Sequence, residues 1–173
     1  MKKFLMIAFV IVLVNTFLCL PANAKNNKIE KVEQLTSQDM LIKCEVETAV
    51  SMLQAIYKKY QNKEMTLKQA KKLGADLLRE LKYGSDGYFW ADTTKGVNVV
   101  LYGKKDVEGK NRLEAKDKKG NFYIKDFIKK GMSGGGFLDY WFPKKNQKKA
   151  LRKRSYALLF KPFGWIIGTG YYR

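Results

Sequence analysis

The segment GYFWADTTKGVNVVLYG (residues 87–103) is rich in aromatic and β-branched residues and contains a turn sequence at its centre. Two later segments share this composition, GGGFLDYWFPKK (134–145) and KRSYALLFKPFGWIIGTGYY (153–172). Aromatic and β-branched residues favour strands, whereas Gly, Pro, Asp and Thr between them favour turns. The C-terminal half is therefore predicted to form five antiparallel strands, with aromatic and basic residues sharing one face of the sheet.

Two helices are predicted before these strands. The first is capped by Thr36 or Ser37, begins near Gln38 and carries an apolar stripe made of Val46, Val50, Leu53, Tyr57 and Tyr60. The second starts at Thr66 in a capping box with Gln69 and ends at Gly84. Its stripe consists of Leu67, Ala70, Gly74, Leu77 and Leu81. Gly74 lies on that stripe, where the missing side chain permits a close backbone approach.

The expected fold class is α+β, a five-stranded antiparallel sheet with a long N-terminal helix and a second helix packed on one side. A short third helix is predicted from Phe122 to Gly131. Residues 88–91 and 97–102 are expected to pair as a hairpin around a turn at 92–96, and residues 103–115 are expected to form a loop.

The first 24 residues have the composition of a secretory signal peptide. Lys2 and Lys3 precede an apolar run, and Ala22-Asn23-Ala24 has the pattern of a cleavage site. Residues 25–35 are then a polar lead-in, and residues 36–173 form one domain. This organisation predicts a periplasmic or extracellular protein, with an uncleaved membrane anchor as the alternative.

Composition excludes several function classes. The chain has a formal charge of +18 and no histidine, which removes Ser–His, Cys–His and zinc-hydrolase mechanisms. No enzymatic activity, metal or cofactor is expected, because the acidic residues are explained by turn chemistry; they are Asp86, Asp92, Asp106, Asp117 and Asp139. Most lysines are expected on the solvated surface. An exported protein seldom meets nucleic acid, so no nucleic-acid partner is expected. Weak association of the basic surface with an anionic membrane remains an alternative.

The aromatic strands indicate a ligand pocket rather than packing alone. Several tyrosines need partners for their hydroxyl groups, and Lys153 enters the strand that carries Tyr156. Cations and phenols that converge in an apolar cleft are typical of a site for a small anion such as a carboxylate.

The three quoted segments, in this order and at these separations, resemble a single Cache domain of the second type from about Thr36 to Arg173. The resemblance implies a PAS-like fold with a long N-terminal helix. It also implies that the chain corresponds to the extracytoplasmic sensor domain of bacterial chemoreceptors and sensor kinases. Members of this family often bind short carboxylates such as acetate, propionate, pyruvate or lactate.

Carried onto this chain, the family's ligand site comprises Tyr88, Trp90, Tyr102, Arg112, Tyr140, Phe142, Lys153 and Tyr156. Lys153, with Arg112, is expected to pair with the carboxylate. The tyrosines are expected to donate hydrogen bonds, and Trp90 and Phe142 to enclose the carbon tail. The chain has Tyr102-Gly103 where many members have His-Pro, which leaves the identity of the acid open.

Members usually continue into a transmembrane helix, whereas this sequence stops at Arg173. Signal output is therefore expected to pass through a partner such as a membrane receptor. The alternative from a different class is an envelope protein without a small ligand, which dimerises through its long helix.

Overall fold

The computed structural model describes residues 34–102, 104–144 and 147–173. The elements are α1 (Ser37–Gln61), α2 (Leu67–Glu80), β1 (Lys82–Tyr83), β2 (Gly87–Tyr88), β3 (Trp90–Thr93), β4 (Asn98–Leu101), a 3₁₀ turn (Lys105–Val107), α3 (Tyr123–Met132), β5 (Gly136–Pro143), β6 (Ala150–Phe160) and β7 (Trp165–Tyr172). The predicted signal peptide lies outside the described residues. No helix in the described part of the chain is both long and apolar enough to cross a membrane.

The main sheet has five antiparallel strands in the order β4-β3-β7-β6-β5, which confirms the predicted number and the α+β, PAS-like class. The short strands β1 and β2 pair with each other in a separate ribbon. In the main sheet, Trp90 lies opposite Gly168, and Lys153 lies between Tyr140 and Tyr172. This register brings aromatic residues of β3, β5 and β7 onto the face of the sheet that also carries Lys153.

Helix α1 begins as the sequence predicts but buries a slightly rotated face. The Thr36 hydroxyl accepts a hydrogen bond from the Asp39 amide, and the Asp39 carboxylate accepts one from the Thr36 amide, which closes a capping box. The buried stripe runs through Ile42, Val46, Ala49, Leu53 and Ile56. The predicted Val50, Tyr57 and Tyr60 are half-buried and flank it.

Helix α2 has the predicted capping box of Thr66 and Gln69 but a different end. The helix stops at Glu80, and Gly84, expected as its last residue, instead turns the chain between β1 and β2 with φ of 56°. Leu77 was predicted on the buried stripe but is exposed, whereas Leu78 is buried.

Both long helices pack on the same face of the sheet, as predicted. Gly74 of α2 lies at their contact, where a Cβ atom would come to 2.8 Å from a methyl carbon of Leu53. The absent side chain therefore sets the helix spacing.

Helix α3 covers the opposite face. Ile124 and Phe127 are buried against Trp90, Leu101 and Tyr140. The sequence predicts this helix to within one residue of its end at Met132 but does not say which face it covers. Its placement creates a second apolar layer, and the candidate site lies within that layer.

Candidate functional site

A cavity lies between α3 and the sheet. Its walls are formed by Tyr88, Trp90, Asp92, Leu101, Arg112, Tyr123, Ile124, Phe127, Tyr140 and Phe142. About 260 Å³ of space lies between these atoms, part of it open to solvent, but only about 10 Å³ is accessible to the centre of a water-sized molecule. That is close to the space that one water needs, so an organic acid requires the walls to move outward.

The floor of the cavity depends on a glycine of β7. A Cβ atom at Gly168 would overlap the ring of Trp90, so only glycine lets the indole lie across this strand. The indole also packs against Phe127, with ring centroids 4.7 Å apart. Trp90 is 4% exposed, and its buried Nε1 has no hydrogen-bond partner among the described residues. A buried donor without an acceptor is costly, which makes this N–H a candidate ligand contact.

One side of the cavity holds a buried ion pair. A guanidinium nitrogen of Arg112 lies 3.3 Å from a carboxylate oxygen of Asp92, and another donates to the Tyr123 hydroxyl at 2.7 Å. The Asn98 amide also donates to Asp92 at 3.0 Å. Burial raises the pKa of Asp92, although Arg112 and Asn98 oppose the rise. Arg112 is thus held in the wall by two partners and offers its remaining N–H groups.

The other side is backed by a buried amine. Lys153 is fully buried, and its amine donates to the Tyr88 hydroxyl at 2.7 Å and lies 4.1 Å from the centre of that ring. The rings of Tyr172 and Phe142 also face the amine, at 5.0 and 5.9 Å. Burial lowers the pKa of Lys153 to about 7, and the charge of Asp86 opposes this only in part. The amine lies directly behind the wall rather than in it.

Two tyrosines supply further donors. The Tyr140 hydroxyl is 3.4 Å from the Ser155 hydroxyl, and its ring stacks on Tyr123 at 5.2 Å. Burial raises the pKa of both Tyr140 and Tyr88, so both phenols stay protonated at physiological pH. They can therefore donate hydrogen bonds to an anion.

Five of the eight predicted site residues line the cavity: Tyr88, Trp90, Arg112, Tyr140 and Phe142. Lys153 lies behind Tyr88. Tyr102 stacks on the Tyr88 ring at 5.3 Å and is not part of the wall.

Tyr156 does not join the other predicted residues. Side chains alternate along β6, so Lys153 faces the cavity and Tyr156 faces α1 on the opposite side of the sheet. The Tyr156 ring packs against Phe137 at 4.9 Å. The prediction that its phenol contributes to the same site as Lys153 is wrong, because the two positions differ by an odd number of residues.

Sequence reasoning missed five wall residues: Asp92, Leu101, Tyr123, Ile124 and Phe127. Asp92 was assigned to a turn, but it belongs to β3 and is 1% exposed. Its position two residues after Trp90 was the available signal, because alternate residues of a strand share a face.

Comparison with protein families and characterised proteins gives a consistent result. The model of the family described as single Cache domain 2 matches residues 34–173. Sensor histidine kinase MctS of Rhizobium johnstonii is 31% identical over 153 residues, covering 87% of this chain and 32% of the relative. Methyl-accepting chemotaxis protein McpP of Pseudomonas putida is 27% identical over 104 residues, covering 60% of this chain and 19% of the relative. The chain thus spans less than a third of either relative.

Solved structures agree with the fold. A Cache chemosensory domain studied for carboxylic acid recognition is 26% identical, with a TM-score of 0.74 over 80% of this chain and 99% of that one. A chemotaxis protein of Vibrio parahaemolyticus is 27% identical, with a TM-score of 0.69 over 77% of this chain and 86% of that one. The periplasmic sensor domain of a chemotaxis protein shares the fold at 24% identity and a TM-score of 0.74, covering 77% of this chain and 93% of that one.

Proposed function

The chain belongs to the single Cache domain 2 family, whose members are extracytoplasmic sensory domains, and from this membership we propose that its cavity binds a short-chain carboxylate of the acetate, propionate, pyruvate or lactate type. Binding is the input to signal transduction or chemotaxis, and a membrane receptor is the partner that carries the output. One relative is a histidine kinase and another a chemoreceptor, which supports this assignment. The carboxylic acid recognition of a similar Cache domain supports the choice of ligand class.

The observation that carries the proposal is an excess of positive charge in and behind the cavity wall. Arg112 and Lys153 bring two cations to this part of the protein, whereas Asp92 is the one buried carboxylate among the described residues that line it. Arg112 has Asp92 as its counterion, but Lys153 forms no ion pair within the described chain. A buried cation without a counterion is unfavourable, so an anion in the cavity is stabilised by it.

The hydrogen-bond donors suit the two oxygens of a carboxylate. Tyr88 accepts a hydrogen bond from Lys153, which polarises the phenol and strengthens it as a donor. The Arg112 guanidinium serves as a charge-assisted donor to the carboxylate, and the Tyr88 hydroxyl does so by exchanging its hydrogen bond to the Tyr172 hydroxyl for one to the acid. The Trp90 N–H and the Tyr140 hydroxyl then remain for further oxygen atoms of the acid.

The apolar part of the wall limits the length of the acid. Leu101 of β4 and Ile124 and Phe127 of α3 line the cavity with buried apolar side chains, leaving little room for a carbon tail. An acid of about five heavy atoms gains at most roughly 7 kcal/mol, which corresponds to a dissociation constant no lower than about 10 μM.

Isothermal titration calorimetry with acetate, propionate, pyruvate and lactate tests the proposal. Protein that is folded and has been dialysed free of ligand is expected to bind at least one of these acids, with a dissociation constant between about 10 μM and 1 mM. Tyr88→Phe removes one hydroxyl and is expected to weaken binding at least tenfold. Tyr57→Phe is the matched control, because Tyr57 packs on the opposite face of the sheet. Absence of heat with all four acids would refute the assignment.

A further inference from the structure

A second depression lies outside the cavity and shares two wall residues with it. This outer basin is lined by Lys116, Asp117, Lys118, Tyr123, Trp141, Phe142 and Pro143, and about 270 Å³ of it is accessible to the centre of a water-sized molecule. Tyr123 and Phe142 also line the inner cavity, and their ring centroids are 6.1 Å apart. The outer basin is therefore roomy where the inner cavity is narrow, and two aromatic rings separate them.

Lysine side chains surround the outer basin. Lys116 and Lys118 line it and are exposed, and Lys119 lies with its amine 5.4 Å from the centre of the Trp141 ring. The amine of Lys104 lies 5.3 Å from the Phe142 ring, on the wall shared with the cavity. Cation–π contacts of this kind hold the amines near the aromatic surface while they remain in contact with solvent.

The loop that carries Lys116, Lys118 and Lys119 is fixed to the sheet by Asp117. Its carboxylate accepts hydrogen bonds from the amides of Lys119 at 2.8 Å, Asn121 at 2.9 Å and Trp141 of β5 at 3.2 Å. Burial alone would raise the pKa of Asp117, but these bonds outweigh it and lower the pKa. The Asp117 carboxylate is thus fully used in holding the loop, and this keeps the neighbouring lysines around the basin.

We propose that the outer basin is the entrance through which an anionic ligand reaches the inner cavity, and that the Tyr123 and Phe142 rings form the gate between them. This inference rests on the proposed function. Fixed positive charges around a concave surface raise the local concentration of a small anion and its rate of association. The basin has space for a short organic acid in the closed structure, whereas the cavity opens only when its walls move. Rotation of the Tyr123 and Phe142 rings, which line both spaces, would join the basin to the cavity.

The test compares two triple variants that lose the same charge. One carries Lys116→Gln, Lys118→Gln and Lys119→Gln, and the control carries Lys58→Gln, Lys68→Gln and Lys161→Gln. The control lysines are exposed and lie on α1, on α2 and in the turn between β6 and β7. The probes are acetate, propionate, pyruvate and lactate. NMR line shapes of the methyl signals during titration give the dissociation rate and the affinity, and hence the association rate.

The basin variant is expected to associate about 3- to 10-fold more slowly than the control at low ionic strength, with dissociation rates that agree within twofold. At about 0.5 M salt the two association rates should converge, because the charges are screened. Equal association rates of the basin and control variants at low salt would overturn the proposed entrance. A weaker affinity of the basin variant that comes from faster dissociation would overturn it as well. Binding of none of the four acids to the unmodified protein would overturn the proposed function and the entrance together.

Discussion

Lys153 and Arg154 are neighbours on β6, and their side chains leave the sheet on opposite faces. The Lys153 amine donates to Tyr88 behind the cavity, whereas the Arg154 guanidinium donates to the Asp39 carboxylate of α1 at 2.7 Å. Both side chains are buried. A single peptide unit therefore joins the candidate ligand site to the first turn of the long helix.

The contact at the start of α1 extends to the last strand. The Tyr171 hydroxyl of β7 donates to the same Asp39 oxygen at 3.1 Å, and Arg154 also donates to Asp139 of β5 at 2.9 Å. The beginning of the described domain is thus bonded to its final strand. A shift of β6 caused by a ligand near Lys153 would therefore change the hydrogen bonds between Arg154 and Asp39.

Asp39→Asn is expected to destabilise the protein by about 3–5 kcal/mol, because it leaves the buried Arg154 without one of its counterions. Burial alone would raise the pKa of Asp39, but hydrogen bonds from Thr36 and Arg154 outweigh burial and lower it from 3.8. The stabilisation is therefore complete above pH 3.8 and is lost as the pH falls through the folded-state pKa.

Urea unfolding at pH 7 and pH 3 measures this difference. Asp76→Asn is the control, because Asp76 pairs with Lys72 and Arg79 at an exposed position where ion pairs contribute less than about 1 kcal/mol. Equal losses for the two variants at pH 7 would show that the junction is not stabilising.

Lys153→Met is expected to stabilise the unliganded protein at pH 6, by roughly 2–5 kcal/mol. The folded-state pKa of Lys153 is about 7, against 10.5 when unfolded, so below pH 7 folding buries a charged amine. Between pH 7 and 10.5 the unfolded chain binds more protons, and the unmodified protein gains stability as the pH rises. The advantage of methionine should shrink over that range.

Denaturation curves at pH 6 and pH 9 test the change, with the exposed Lys161→Met as control. A stability difference between Lys153→Met and the unmodified protein that is the same at both pH values would contradict the burial of a titrating amine.

Carboxylate binding is expected to weaken as the pH rises above about 7, because the anion is stabilised by the charged form of Lys153. The phenols that face the amine, Tyr88, Tyr140 and Tyr172, have pKa values raised by burial and stay neutral in this range. Binding should therefore take up protons near pH 7–8. Calorimetry in two buffers of different ionisation enthalpy measures the proton uptake. In Lys153→Met the binding enthalpy should no longer depend on the buffer. Proton release on binding would contradict this account.

Asp92→Asn is expected to tighten carboxylate binding about 3- to 10-fold. The substitution keeps the shape of the side chain and removes the negative charge that Arg112 neutralises, while Tyr123 still holds the guanidinium at 2.7 Å. The control is Asp126→Asn, an exposed position on α3 that does not line the cavity. Weaker binding by a variant that folds normally would show that Asp92 supports the ligand rather than competes with it.

The elements could be predicted because local signals specify them. The cap at Thr36 or Ser37 and the capping box at Thr66 predict the two helix starts, and the Gly and Pro positions predict the separation of the strands. The end of α2 could not be predicted in this way, because Leu81 becomes extended to join β1 and Gly84 is needed in the next turn.

The site residues that lie on strands could be predicted from the alternation of side chains between the two faces of a sheet. Trp90 and Tyr140 were identified from the strands, whereas Tyr123 and Phe127 come from α3, and a helix pattern does not say which face of a sheet it covers. Tyr156 is predicted together with Lys153 because the family resemblance assigns both residues to the same strand of the ligand site. The odd spacing between them was the signal that places them on different faces.

Tyr140→Phe on β5 and Tyr156→Phe on β6 form a matched pair that separates the two faces of the main sheet. Tyr140 lines the cavity 3.4 Å from the Ser155 hydroxyl, and losing its phenolic oxygen is expected to weaken carboxylate binding about tenfold. Tyr156 packs against Phe137 below the sheet, so the same change there should leave the dissociation constant within twofold. Calorimetry on both variants, with thermal unfolding as the check on folding, gives the comparison. If Tyr156→Phe weakened binding as much as Tyr140→Phe in folded protein, the acid would not be bound in the cavity beneath α3.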